Sequence, residues 1–292
     1  MVKDASNITK PRKTMQQAIG FNFYDVFVVG FCVIFALICF YPMWYVLVAS
    51  VTPYEQFVKG GALLWPNGGV DFQYYRMIFE NSSFVTSLWI SASKTVLGTF
   101  LSVLVTSTMA YAVSKVYVPG MKLLNVLTVF TMFFAGGLIP TFLTVKSLGL
   151  YNNPWVMVIL GATSMTNIII SRTFFETNIP NELREAAEID GCSNTRFFFS
   201  IVLPILQPSL ISTGILQAMW IWNDYLLPYL VLDLKRFKTI PIAVQYLRGG
   251  YGSVDMGAMM GMLVLAIAPI LVMYFLCQKY IVSGVMAGAV KG

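Results

Sequence analysis

Apolar residues in this chain gather into six long runs divided by polar stretches, near residues 26–48, 85–111, 123–145, 155–175, 201–222 and 259–281. Each is about 20 residues long, the length that crosses a hydrocarbon core of about 30 Å at about 1.5 Å per helical residue. The pattern predicts an all-helical membrane protein of six spans. A polar stretch over residues 1–24, carrying Lys3, Lys10, Arg12 and Lys13, precedes the first run. That run is too long for a signal-peptide core and is expected to stay attached as the first span.

An even number of spans puts both termini on one side of the bilayer. Lys and Arg close to the span ends favour the terminal side, through the N-terminal cations, Lys115, Lys122, Arg172, Arg184, Arg196 and Lys279. Fewer lie opposite, including Lys59, Arg76, Lys146, Lys235, Arg236 and Lys238. The positive-inside rule therefore predicts cytoplasmic termini. Residues 227–257 form a loop long enough to fold as a small external cap. No repeat or charged linker divides residues 25–292, which read as one membrane domain behind the tail.

Composition narrows the chemistry. Apolar residues make up 57% of the 292 positions and charged residues only 11%, against about 25% charged in soluble domains. The net charge of +6 is dispersed between apolar runs, unlike the concentrated basic stripe that nucleic acid requires. Histidine is absent, which removes the common general base, zinc ligand and proton-relay residue. A membrane hydrolase loses its Ser–His pairing, and an ion-coupled carrier lacks the embedded carboxylates and imidazoles that relay protons. Cys32, Cys39, Cys192 and Cys277 form no CxxC pair.

Between the fourth and fifth runs lies NIPNELREAAEIDG, residues 178–191, followed by CSNTRFFFSIVLP to Pro204. Pro180 suits a helix start, where its missing N–H is not needed, and Gly191 suits a left-handed stop. A short helix is expected from Asn181 to Asp190. Leu183, Ala186, Ala187 and Asp190 recur on one face, where the two alanines permit close approach of another surface. A solvated amphipathic loop helix has the same pattern.

The compound spacing says more. Glu185-Ala186-Ala187, Gly191 six positions after Glu185, and then Ile201-x-Leu203-Pro204 resemble the cytoplasmic signature loop of permease subunits in ATP-binding-cassette (ABC) importers. The resemblance implies the type I importer permease fold in a bacterial cytoplasmic membrane, with a coupling loop at residues 176–200. Glu185, Ala186, Ala187, Asp190, Gly191, Leu203 and Pro204 would be its coupling residues, inserting into or supporting contact with a separate ATPase subunit. No GxxxxGK[ST] phosphate loop is present. ATP and magnesium would therefore bind two partner ATPase subunits, and this chain would be a transport subunit with no catalytic residue, metal or cofactor of its own. A second, similar permease subunit and an extracellular or periplasmic solute-binding protein complete the implied assembly.

Further stretches resemble the sugar-importing, maltose-type branch: Tyr111-Ala-Val-Ser-Lys115 with Pro119-Gly120, Trp222-Asn223-Asp224-Tyr225, and AGAVKG at residues 287–292. They imply an oligosaccharide cargo. Gly136-Gly137-x-x-Pro140 resembles a subgroup that handles complex or uronic-acid-containing oligosaccharides, and is also an ordinary means of kinking a membrane helix. The coupling loop alone leaves an amino-acid or peptide cargo open.

Two candidate cargo-path elements follow. Trp220, Asn223, Asp224 and Tyr225, with Trp222, could stack on and hydrogen-bond a saccharide, or serve as an interfacial aromatic anchor. Lys94 lies roughly 16 Å inside the second run, counted at 1.5 Å per residue, where insertion of a lysine costs about 2.5–3.5 kcal/mol. Ser87, Ser91, Thr95, Gly98 and Ser102 share its stripe. The stripe could line a hydrated cavity that attracts a uronate, or pack against another helix while Lys94 pairs within the protein.

Overall fold

The computed structural model describes residues 23–59, 64–66, 68–115, 118–249 and 256–289, excepting the side chains of residues 23, 247–249 and 280–289. Nearly all of the expected N-terminal tail, the tip of the 227–257 cap and the last three residues of the C-terminal motif lie outside the described residues.

Among the described residues the elements are helical. Four helices are long and apolar enough to cross a membrane: α1 (Phe23–Ser50), α4 (Ser82–Ser114), the continuous segment Asn194–Asn223 and α14 (Met256–Ala289). Short helices α2 (Tyr54–Val58) and α3 (Gln73–Glu80) fill the link between α1 and α4. The first, second, fifth and sixth expected spans are thus present as single helices.

The third and fourth are not. In the third, α5 (Met121–Phe133) and α6 (Leu138–Ser147) meet at a bend of 119°, and the pair counts as a fifth span only when taken together. The break sits at the Gly-Gly-x-x-Pro element. Gly137 has φ +88°, a region other residues rarely enter, and Pro140 falls in the first turn of α6, where its missing N–H costs nothing. In the fourth, α7 (Trp155–Leu160) ends at Gly161, and α8 (Met165–Asn178) restarts where the Ser164 hydroxyl accepts the Asn167 N–H at 3.3 Å. Neither piece alone spans about 30 Å.

The α4 stripe is the spine of the fold. Ser87, Ser91, Lys94, Gly98, Ser102 and Thr106 are buried, because small residues on one helical face let α11 (Leu203–Asn223) approach closely. A Cβ on Gly98 would lie 2.9 Å from Ile221 Cδ1. The Ser91 hydroxyl accepts the Ile240 N–H at 2.8 Å, tying α4 to the cap helix α13 (Ile240–Gly249), which follows α12 (Leu226–Val231). α1 lies against α14, but its apolar window has no buried residue.

Candidate functional site

The helix expected in the 176–200 loop is α9 (Asn181–Ile189), with Pro180 before its first turn and Asp190 as its C-cap. Gly191 has φ +72°. Its N–H donates to Glu188 O at 3.0 Å, and the Cys192 N–H donates back to Ala187 O at 2.9 Å. This paired arrangement satisfies the carbonyls left open at a helix end and requires a left-handed residue at position 191.

The exposed face differs from the expected one. Ala187, 8% exposed, and the partly buried Leu183 point into the chain's own core, packed with Phe175, Ile179, Phe197 and Phe198. Of the four residues assigned to a common contact face, Ala186 and Asp190 remain exposed while Leu183 and Ala187 anchor the helix from behind. The outward surface is Glu182, Glu185, Ala186, Ile189 and Asp190. Ile189 is 87% exposed, an apolar side chain in water that sequence spacing did not single out. Its only sequence signal was its position one turn from Glu185 and Ala186.

A packed column continues from α9. α10 (Asn194–Phe197), a π-helical turn over Phe198–Val202 and α11 form one segment. In the π turn the Leu203 N–H reaches back to Phe198 O. The wider turn falls immediately before Pro204, which has no N–H to offer and whose ring crowds the preceding turn, so the irregularity has a local cause. Leu203 packs against the cluster that holds Ala187, whereas Pro204 is exposed. The same cluster takes in Ala110 and Val113 of α4 and Ile168 of α8. Tyr111 joins it through its ring, with centroids 5.7 Å from Phe175 and 5.2 Å from Phe198. The Lys115 ammonium lies 5.3 Å from the Tyr111 centroid, and burial followed by the Arg184 guanidinium push its pKa below the ordinary lysine value. Arg184 itself pairs with Glu188 at 2.8 Å. Close-packed contacts therefore join α9 to the root of α11.

At the other end of α11, Lys94 is 3% exposed and its Nζ donates to Asp224 O at 3.3 Å. The Asp224 carboxylate lies within Coulombic reach. Of the two alternatives for the stripe, these contacts match packing and pairing within the protein: α11 and α13 lie against it, and the ammonium caps a helix end whose free carbonyls attract a cation. Trp222 is also buried, its indole N–H donating to Ala266 O of α14 at 3.0 Å. Trp220, Asn223, Asp224 and Tyr225 do come together, along a cleft of about 560 Å³. A second cleft of about 390 Å³ shares Leu216 and Trp220 with it and runs to Asn167 and Gln217 between α8 and α11. These two amides were missed by sequence reading, being 50 positions apart. A further groove of about 500 Å³ between α4, α11 and α14 is lined almost wholly by apolar side chains such as Phe100, Val103 and Leu210, the wrong surface for a polyol.

Comparison with known proteins supplies the context for this geometry. The chain is 36% identical over 283 residues to the polygalacturonan/rhamnogalacturonan transport system permease protein YtcP of Bacillus subtilis, covering 92% of this chain and 98% of that one. It is 30% identical over 272 residues to the arabinooligosaccharides transport system permease protein AraQ of Halalkalibacterium halodurans, covering 90% and 95%. Its fold resembles a chain in the crystal structure of a bacterial ABC transporter involved in the import of the acidic polysaccharide alginate, with TM-score 0.82, 25% identity and coverage of 93% and 99%. Residues 17–286 match one family over nearly the whole chain, and this protein belongs to it: the inner membrane component of binding-protein-dependent transport systems.

Proposed function

We propose that this chain is the permease subunit of an ABC importer that carries oligosaccharides across a bacterial cytoplasmic membrane by alternating access. The oligosaccharide class is supported by the cargoes of YtcP and AraQ, and by the sugar-branch motifs in this sequence. Six crossings with both termini cytoplasmic fit the cation distribution when α5 with α6 and α7 with α8 are each taken as one broken span.

The carrying observation is the two-faced helix α9. Leu183 and Ala187 fix it to the α11 root, while Glu185, Ala186 and Ile189 stand outward as a compact apolar and acidic knob. Such a knob suits a cleft on a separate ATPase subunit, one ATPase per permease, with ATP and magnesium held there. Closure of the ATPase pair would push α9, and the Phe198–Val202 turn with Pro204 is where α11 would yield. A second, similar permease completes the passage, and a solute-binding protein delivers cargo from outside.

The test is uptake of labelled oligosaccharides into proteoliposomes carrying the four-subunit complex, with loaded binding protein outside and ATP inside. Uptake should require ATP. Transport sustained by an ion gradient without ATP would reject the assignment, and ATP-dependent uptake of amino acids or peptides but no saccharide would reject the cargo class.

A further inference from the structure

Amides at membrane depth are costly unless they are satisfied, which makes the pair between α8 and α11 informative. Asn167 Nδ2 donates to Gln217 Oε1 at 3.0 Å, and Gln217 Nε2 donates to Gly161 O at 2.8 Å, a carbonyl freed where α7 ends. Each amide has a second N–H beyond these bonds, and both residues line the cleft of about 390 Å³ together with the Ser164 and Thr163 corner. One turn along α11 stands Trp220, 57% exposed over the same space. A flat aromatic surface beside donors and acceptors of fixed position is the surface a sugar ring demands, with its apolar C–H face and its equatorial hydroxyl edge.

The charge of the groove selects further. Among the described residues lining the two joined clefts there is no cation, and Asp224 is the one carboxylate. Lys94, the nearby candidate, is buried behind Asp224 and turned to its carbonyl. A uronate ring seated here would meet a like charge and no partner.

We propose that the α8–α11 groove is a saccharide subsite for an uncharged sugar ring, with Trp220 as the stacking platform and the Asn167–Gln217 pair reading ring hydroxyls. The proposal rests on the oligosaccharide assignment above. It further requires that carboxylates of an acidic cargo be neutralised on a surface other than this one.

The test uses the assembled importer in nanodiscs or proteoliposomes, with its own partner subunits and its binding protein loaded with either a neutral or a fully uronate oligosaccharide of equal length. Trp220→Ala should raise the cargo concentration for half-maximal uptake on the order of tenfold, and Trp220→Phe by less than about threefold. Gln217→Leu should raise it comparably to Trp220→Ala. In a complex freed of its native cysteines, thiol modification of Asn223→Cys should be slowed by the neutral cargo and much less by the uronate. An unchanged half-saturation in Trp220→Ala, with only the amount of membrane-inserted complex reduced, would make Trp220 an interface anchor and overturn the proposal. Equal protection by both cargoes would overturn its charge selectivity and so the proposal as stated. Absence of wild-type uptake of either saccharide, with another solute transported, would instead fail the oligosaccharide assignment and this subsite with it.

Discussion

Replacing Gly191 isolates one term in the coupling of α9 to the membrane helices. Its φ of +72° lies in the left-handed region, yet a Cβ built there meets nothing within 4 Å. The penalty of substitution is therefore conformational and not steric. For a residue with a β-branched side chain it is of order 1–2 kcal/mol, which shifts the balance between the correctly stopped helix and a misdirected one by about 5- to 30-fold. A chain that escapes the strain by rotating to negative φ gives up the Cys192 to Ala187 and Gly191 to Glu188 hydrogen bonds. It then enters α10 at a different angle. Gly191→Val should reduce the stimulation of ATPase activity by loaded binding protein several-fold in complexes of normal assembly. Gly191→Asn, which tolerates the left-handed conformation, should retain most of it. Full stimulation in Gly191→Val, or an Asn variant as defective as Val, would refute the conformational explanation.

The outward face of α9 should depend on Ile189: Ile189→Asp is expected to lose ATPase-subunit association in pull-downs without changing the thermal stability of the permease pair, since the side chain touches water and not the core. Single cysteines at Ala186 and Ile189 should crosslink to the ATPase subunit, whereas one at Ala187 should stay unreactive even when the ATPase is removed. Lys94→Met should destabilise the complex in thermal unfolding by about 1–3 kcal/mol, the usual cost of removing a charge-assisted hydrogen bond to a carbonyl such as that of Asp224, with neutral and acidic cargoes affected alike; a loss confined to acidic cargo would instead place the ammonium in the cargo path. Gly98→Ala should change stability by less than about 1 kcal/mol, because the 2.9 Å approach to the Ile221 Cδ1 tip offsets the helix-propensity gain of about 1 kcal/mol. With Ile221→Val, which removes Cδ1, the same change should become net stabilising, and strictly additive effects in the double variant would count against that contact.

Local chemistry makes α9 legible in the residues themselves. Pro180, the helical spacing that follows and Gly191 act over a handful of bonds, so the element, its limits and its left-handed stop are properties of the segment alone. The four unbroken membrane helices are legible for a similar reason, since burial of a long apolar run in lipid depends on length and composition. Hydropathy fails where hydrogen-bond geometry interrupts an apolar run without changing its composition, as at Gly137 and between Gly161 and Ser164.

Tertiary structure decided which face of each helix meets what. Periodicity grouped Leu183, Ala186, Ala187 and Asp190, but only the packing of Phe175, Phe197 and Phe198 determines that Ala187 is held inside while Ile189 is left in water. The partner of Lys94 is a carbonyl 130 residues away, and Gln217 finds Asn167 across 50. Sequence set the cost of placing these polar groups among apolar helices. The fold determined how each cost is met, because desolvation is a property of the residue whereas the compensating hydrogen bond belongs to whichever distant segment the packing brings within about 3 Å.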